Sequence, residues 1–186
     1  MNIILVSDVF GKTPALMKLS EELNANIIVD PYDGINMNFK NEVEAYSYFI
    51  NNVGLDTYLS KLLEITMSIS SVTTLIGFSI GASVIWKLSE NSAVKNIKRG
   101  VCYYGSQIRD LKEINPLFEV ELIFPKMETH FDVLELQSEL CKKQNVKTIK
   151  VNYLHGFMNF YSINYNQVAY KEQLIWLHLK FRGQDT

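Results

Sequence analysis

The sequence predicts an α/β fold: a mostly parallel sheet of about six strands with helices on both faces. Three observations point there. Short apolar runs alternate with amphipathic runs along the chain, the pattern of strands joined by crossover helices. Most of the apolar runs are continuous rather than alternating, as strands covered on both faces are. The length of 186 residues, with 47% apolar and 20% charged residues, suits a single globular domain, residues 1–186, burying roughly 70% of its unfolded surface.

Each element has its own signal. Ile3–Ser7 reads as the first strand. Thr13 and Pro14 then start a helix, proline being at home in the first helical position. Leu16, Leu19 and Leu23 repeat on one face of it. Ile27–Val29 is a second strand, closed by Asp30-Pro31. Two helices are predicted over Glu42–Asn51 and Leu55–Ser68, broken at Gly54. Val72–Gly77 is a third strand and Ile80–Glu90 a helix. Gly100–Tyr104 and Val120–Phe124 are the fourth and fifth strands. Asp132–Gln144 is a helix with Val133, Leu136 and Leu140 on one side. Lys147–Tyr153 is the sixth strand, and a final helix covers about Tyr165–Phe181. In the sixth strand Ile149, Val151 and Tyr153 alternate with polar residues, which suits an edge with one partly wet face.

Composition excludes several classes. The net charge is −2 with the signs interspersed, so no basic patch invites nucleic acid. Two cysteines, Cys102 and Cys141, make neither a disulfide scaffold nor a metal motif. Cys141 falls on the apolar stripe of its helix, so a buried, inert thiol is expected. The apolar run Ile3–Val6 stops at Ser7-Asp8, too short for a signal peptide. No stretch approaches the roughly 18 apolar residues of a membrane span. A cytoplasmic protein is expected, without membrane or nucleic-acid partners, without a cofactor or metal, and either monomeric or homodimeric.

In a parallel sheet, functional residues lie in loops just past the carboxyl ends of the strands. Three segments meet that condition. Gly77-Phe-Ser-Ile-Gly81 lies between a strand and a helix and matches G-x-S-x-G, the nucleophile elbow, in which a tight turn lifts the serine out of the sheet. Ser79 is therefore the candidate nucleophile. His155, in Tyr153-Leu-His-Gly-Phe157, follows the last strand, where the general base belongs in the order serine, acid, histidine. His178, inside the last helix, reads as structural, and His130 as a loop residue. The acid should follow the fifth strand. Glu128 is nearer the strand end, and Asp132, the runner-up, is well placed to cap the next helix. An oxyanion hole needs two N–H groups: Ile80, after the nucleophile, and Val9 in the loop after the first strand, with Phe10 next in line.

Together these segments resemble the dienelactone hydrolase family of α/β-hydrolases, across most of the chain. Asp8-Val-Phe-Gly11 with Thr13-Pro14 is similar to that family's oxyanion loop and first helix. Gly77–Gly81 is similar to its elbow, and Tyr103-Tyr-Gly105 to a marker after its fourth strand. His155-Gly-Phe157, with Asn159, Tyr165-Asn166 and Ala169, is similar to its histidine loop and closing helix. The resemblance implies a three-layer α/β-hydrolase sandwich with a pocket lined by Asp8, Phe10, Phe78, Tyr104 and Asn159, and at 186 residues a minimal form with no cap domain is expected. Departures shape the substrate. Ser79 stands where named members carry cysteine, which implies a serine hydrolase. Glu128 falls at the family's aspartate and Pro125 at its glycine. The family's dienelactone hydrolase holds its substrate carboxylate with arginines; here Arg99, Arg109 and Arg182 are the whole set, and Asn159 stands just past the histidine loop where one would be wanted, which argues against a dienelactone. The expectation is cleavage of a small ester, thioester or lactone by a Ser79–His155–Glu128 triad. The alternative is a hydrolase-fold binding module with a weak or inactive triad, to which Glu128 and Pro125 point. A flavodoxin-type protein would need a phosphate loop after the first strand, which Asp8 opposes. The aromatics Phe39, Tyr46, Tyr48 and Phe49 suit either core or a pocket wall.

Overall fold

The computed structural model describes residues 2–182. Six parallel strands form one sheet in the order β2-β1-β3-β4-β5-β6, with β1 Asn2–Val6, β2 Ile27–Val29, β3 Thr73–Phe78, β4 Ile97–Tyr103, β5 Glu119–Phe124 and β6 Val146–Lys150. The helices are α1 Pro14–Glu22, α2 Glu42–Asn52, α3 Gly54–Ser68, α4 Ile80–Leu88, α5 Val133–Leu140 and α6 Gln167–Arg182.

Two cores cover the two faces of the sheet. On one, Leu19 and Leu23 of the α1 segment and Ala169, Leu177 and Phe181 of α6 pack on Ile3, Leu5, Ile76 and Val101. On the other, Phe49, Tyr58, Leu62, Trp86 and Leu140 pack on Ile4, Leu75, Val120 and Leu122. Alternate residues of β1, β3, β4 and β5 feed opposite cores, which is why their apolar runs are continuous rather than alternating. β3 is buried along its whole length, and eight of the nine residues of α4 are buried. At the other extreme, β6 is largely exposed after Val146.

The helix caps follow the sequence signals. Thr13 accepts from the Leu16 N–H at 3.2 Å, with Pro14 at the first position. Asn41 caps α2 through the Glu44 N–H. Asn166 caps α6 by accepting from Val168 and Ala169, so that helix opens two residues later than Tyr165.

Several expectations need correction. Cys141 is exposed: α5 ends at Leu140, and residue 141 lies about 100° round the helix from the buried stripe of Val133, Leu136 and Leu140. The fourth strand ends at Tyr103, because Tyr104 turns to φ 42°. The sixth ends at Lys150, and Ile149 is 37% exposed on it. A short 3-10 helix at Ser106–Asp110 had no periodicity to announce it. Of the four aromatics left open, Phe49 is fully buried and Phe39 packs against Tyr32 and Tyr48, whereas Tyr46 is exposed.

This strand order creates the crevice that matters. From β1 the chain winds outward to β2 on one side, then returns past β1 to β3 and proceeds the other way. The carboxyl ends of β1 and β3 therefore flank a topological switch point. Among the described residues no helix is long and apolar enough to cross a membrane.

Candidate active site

Ser79 ends β3 and opens α4 with φ 51° and ψ −112°, a backbone conformation that costs a residue bearing a Cβ about 1–3 kcal/mol. Its N–H donates to the Tyr103 carbonyl at 2.9 Å and its own carbonyl accepts from the Ser83 N–H at 3.1 Å, so ladder and helix hold the turn from both sides. Gly81 explains how the helix comes so close. A Cβ there would overlap the carbonyl oxygens of Val6 and Ser7, placing the first turn of α4 directly against the end of β1.

The Ser79 hydroxyl lies 3.0 Å from His155 Nε2. His155 Nδ1 lies 2.7 Å from Glu128 Oε1. Both partners are well covered, the His155 side chain 19% exposed and that of Glu128 11%. The loop carrying His155 is anchored from several directions: Asn164 Nδ2 donates to the His155 carbonyl at 2.9 Å, the Tyr104 ring sits 4.9 Å from the imidazole, and Phe157 is fully buried beside Tyr104. Asp132 stands elsewhere. It caps α5, accepting from Leu134 and Glu135 at 2.7 and 3.2 Å. His130 is exposed and His178 lies in α6.

A serine hydroxyl, an imidazole and a carboxylate in line can pass a proton from the first to the second while the third holds the tautomer and steadies the cation. The electrostatics agree with that use. Burial disfavours the imidazolium, but the hydrogen bond and charge of Glu128 outweigh it, assisted by Glu42 and Asp8, and the His155 pKa rises above its ordinary 6.5. Glu42, at the start of α2, approaches His155 Nε2 to 3.9 Å. It carries no sequence signal, because its position depends on how α2 crosses the end of the sheet.

Of the oxyanion candidates, the Phe10 N–H is already committed, donating to Asp8 Oδ1 at 2.9 Å. The Val9 and Ile80 N–H groups have no protein acceptor among the described residues. Tyr32 steadies the Val9 loop, its hydroxyl donating to the Val9 carbonyl at 2.7 Å. Four of the five pocket candidates, Asp8, Phe78, Tyr104 and Asn159, line one cavity of about 30 Å³. Phe10 does not; it packs against Tyr161. Met158 and Phe160, which the sequence did not single out, also line it, with Leu16 and Leu19 of α1. Asp8 is pushed up to about 6 by burial, against hydrogen bonds from the Phe10 N–H and Asn159 that favour its charged form. Among the described residues, no group of three or more histidine, cysteine or acidic side chains could hold a metal ion.

No family model matches the chain. In an alignment of 184 residues it is 29% identical to the uncharacterized protein YczH of Bacillus subtilis (strain 168), covering 92% of this chain and 88% of that one. Solved structures resemble it at low identity. A Xanthomonas campestris pv. campestris protein described as belonging to the α/β superfamily of hydrolases superposes with a TM-score of 0.63 at 13% identity, over 98% of both chains. A dienelactone hydrolase-like promiscuous phosphotriesterase from metagenomic libraries gives 0.63 at 12%, over 95% of this chain and 85% of that one. Mouse alpha/beta hydrolase domain-containing protein 10 gives 0.64 at 10%, over 98% and 90%. These likenesses span the whole sheet and its helices, and the chain has the α/β-hydrolase fold in a six-stranded form.

Proposed function

We propose that this protein is a small serine hydrolase of dienelactone-hydrolase type, cleaving a small ester, thioester or lactone through an acyl-Ser79 intermediate. One observation carries the reading: Ser79, held at φ 51° on its turn, lies 3.0 Å from His155 Nε2, whose other ring nitrogen lies 2.7 Å from Glu128. His155 takes the hydroxyl proton as Ser79 attacks the carbonyl. The oxyanion forms against the Val9 and Ile80 N–H groups. His155 then returns the proton to the leaving oxygen or sulfur, and afterwards activates the water that releases the acid.

A fluorophosphonate probe tests the nucleophile. Covalent labelling at Ser79, abolished by prior heat unfolding, is the expected result, because only an activated serine reacts at a useful rate. A folded protein that the probe leaves unmodified would favour a binding module instead.

The acid is tested by two substitutions. Glu128→Gln is expected to lower kcat/KM by about 10²–10⁴-fold, as the wrong tautomer becomes accessible. Its pH profile carries a second signature. Activity requires neutral His155, so it falls as pH drops through a pKa above 6.5. Without the Glu128 charge that pKa declines, and the acid limb moves to lower pH. Asp132→Asn should leave the profile in place. Loss of activity at Asp132 alone would transfer the role.

A further inference from the structure

We propose that the cavity beside the elbow recognises a hydroxyl group on the acyl part of the substrate, so that this protein prefers esters and thioesters of short hydroxy acids. The proposal rests on the reading of Ser79 as nucleophile and adds the substrate class to it.

No triad residue lines the cavity, but two of its wall residues adjoin the triad. Phe78 immediately precedes Ser79, and the Tyr104 ring lies 4.9 Å from the His155 ring at a tilt of 50°. Its volume, about 30 Å³, is of the order of one water molecule, which admits a single polar group at the end of a short chain. Leu16, Leu19 and Met158 make much of its wall apolar. Among the polar side chains on its wall, two have unused capacity that bears on a ligand.

The first is Tyr104. It is 1% exposed, and its hydroxyl makes no hydrogen bond. The Met158 N–H is the backbone donor near its oxygen, but the phenolic proton has no acceptor. The second is Asp8. Oδ1 accepts from the Phe10 N–H and Oδ2 from Asn159 Nδ2, and each carboxylate oxygen has a further lone pair.

The ligand must therefore accept from Tyr104 and donate to Asp8. A hydroxyl does both through one oxygen. A carboxylate would meet the Asp8 charge with no lysine or arginine on the wall to offset it. An ammonium would satisfy Asp8 and leave the Tyr104 proton facing a cation. A methyl group would leave the Tyr104 proton buried without an acceptor, the costly case.

The test compares thiol release from the N-acetylcysteamine thioesters of butyrate, 2-hydroxybutyrate, 3-hydroxybutyrate and succinate by the full chain. At least one hydroxy isomer should exceed butyrate in kcat/KM by about tenfold or more, with succinate below butyrate. Tyr104→Phe keeps the ring and removes the donor, and should bring the hydroxy-to-plain ratio close to one. Calorimetric binding of the intact thioesters to the Ser79→Ala protein reads the same preference without turnover. A ratio at or below one for both isomers, in turnover and in binding, overturns the proposal, as does a preference that survives in Tyr104→Phe. Thioester cleavage that persists in Ser79→Ala would instead overturn the nucleophile assignment.

Discussion

Replacing Ser79 with alanine is expected to lower kcat for p-nitrophenyl acetate by about 10³–10⁶-fold while leaving the fold standing. The substitution removes only the hydroxyl, whose one partner is His155. The backbone bonds of residue 79 to Tyr103 and Ser83 remain. So does the Cβ, and with it the strain of φ 51°. Residual rate should come from the Val9 and Ile80 N–H groups, which remain in place. Glycine at the same position separates chemistry from strain. It is expected to be equally inactive, yet to resist urea better than the alanine protein, because glycine adopts positive φ without steric cost. Wild-type turnover in the alanine variant would remove Ser79 from the mechanism.

The largest effect on stability is expected from Gly81→Ala, a loss of about 3 kcal/mol or more. The new methyl would enter the carbonyl oxygens of Val6 and Ser7. These are backbone atoms at the end of an internal strand, and both residues are fully buried, so neither can swing aside as a side-chain tip would. Gly34→Ala is the control. Nothing lies within 4 Å of a Cβ there, and only its φ of +82° opposes the change, a cost of about 1–2 kcal/mol. Urea midpoints of the two variants give the comparison. Equal midpoints would mean that α4 is not seated on β1 as described. Relief of the overlap in Gly81→Ala must also carry Ile80 away from Val9, so activity should fall along with stability.

The fold was readable because its signals are local and repeated: apolar strands, an N-cap with proline, leucines at helical spacing. The elbow was readable for a related reason, since glycine on either side of Ser79 answers a steric demand made within five residues. Glu128 followed from its distance to a strand end, and its carboxylate does meet His155. Other features depend on how distant elements cross. Glu42 reaches His155 only because α2 passes over the strand ends. The unused proton of Tyr104 becomes visible only when every neighbour is known. Cys141 failed for a local reason: the stripe of Val133, Leu136 and Leu140 is buried as expected, but residue 141 lies about 100° round the helix from it.

The order of strands also governs when the site comes into being. β1 leaves the chain first yet lies inside the sheet, between β2 and β3. Ser79 and His155 are 76 residues apart, and Glu128 and His155 are 27 apart. Contacts over such separations form late and make folding slow relative to helical proteins. In a Trp176→Phe protein, which removes the indole packed against the other core, Trp86, fully buried in α4 with its N–H on the Leu111 carbonyl, reports the closing of one core. On the proposed mechanism, reactivity of Ser79 requires that core and, in addition, the docked His155 loop. During refolding, return of fluorophosphonate labelling therefore times the final assembly step, while indole fluorescence times an earlier one.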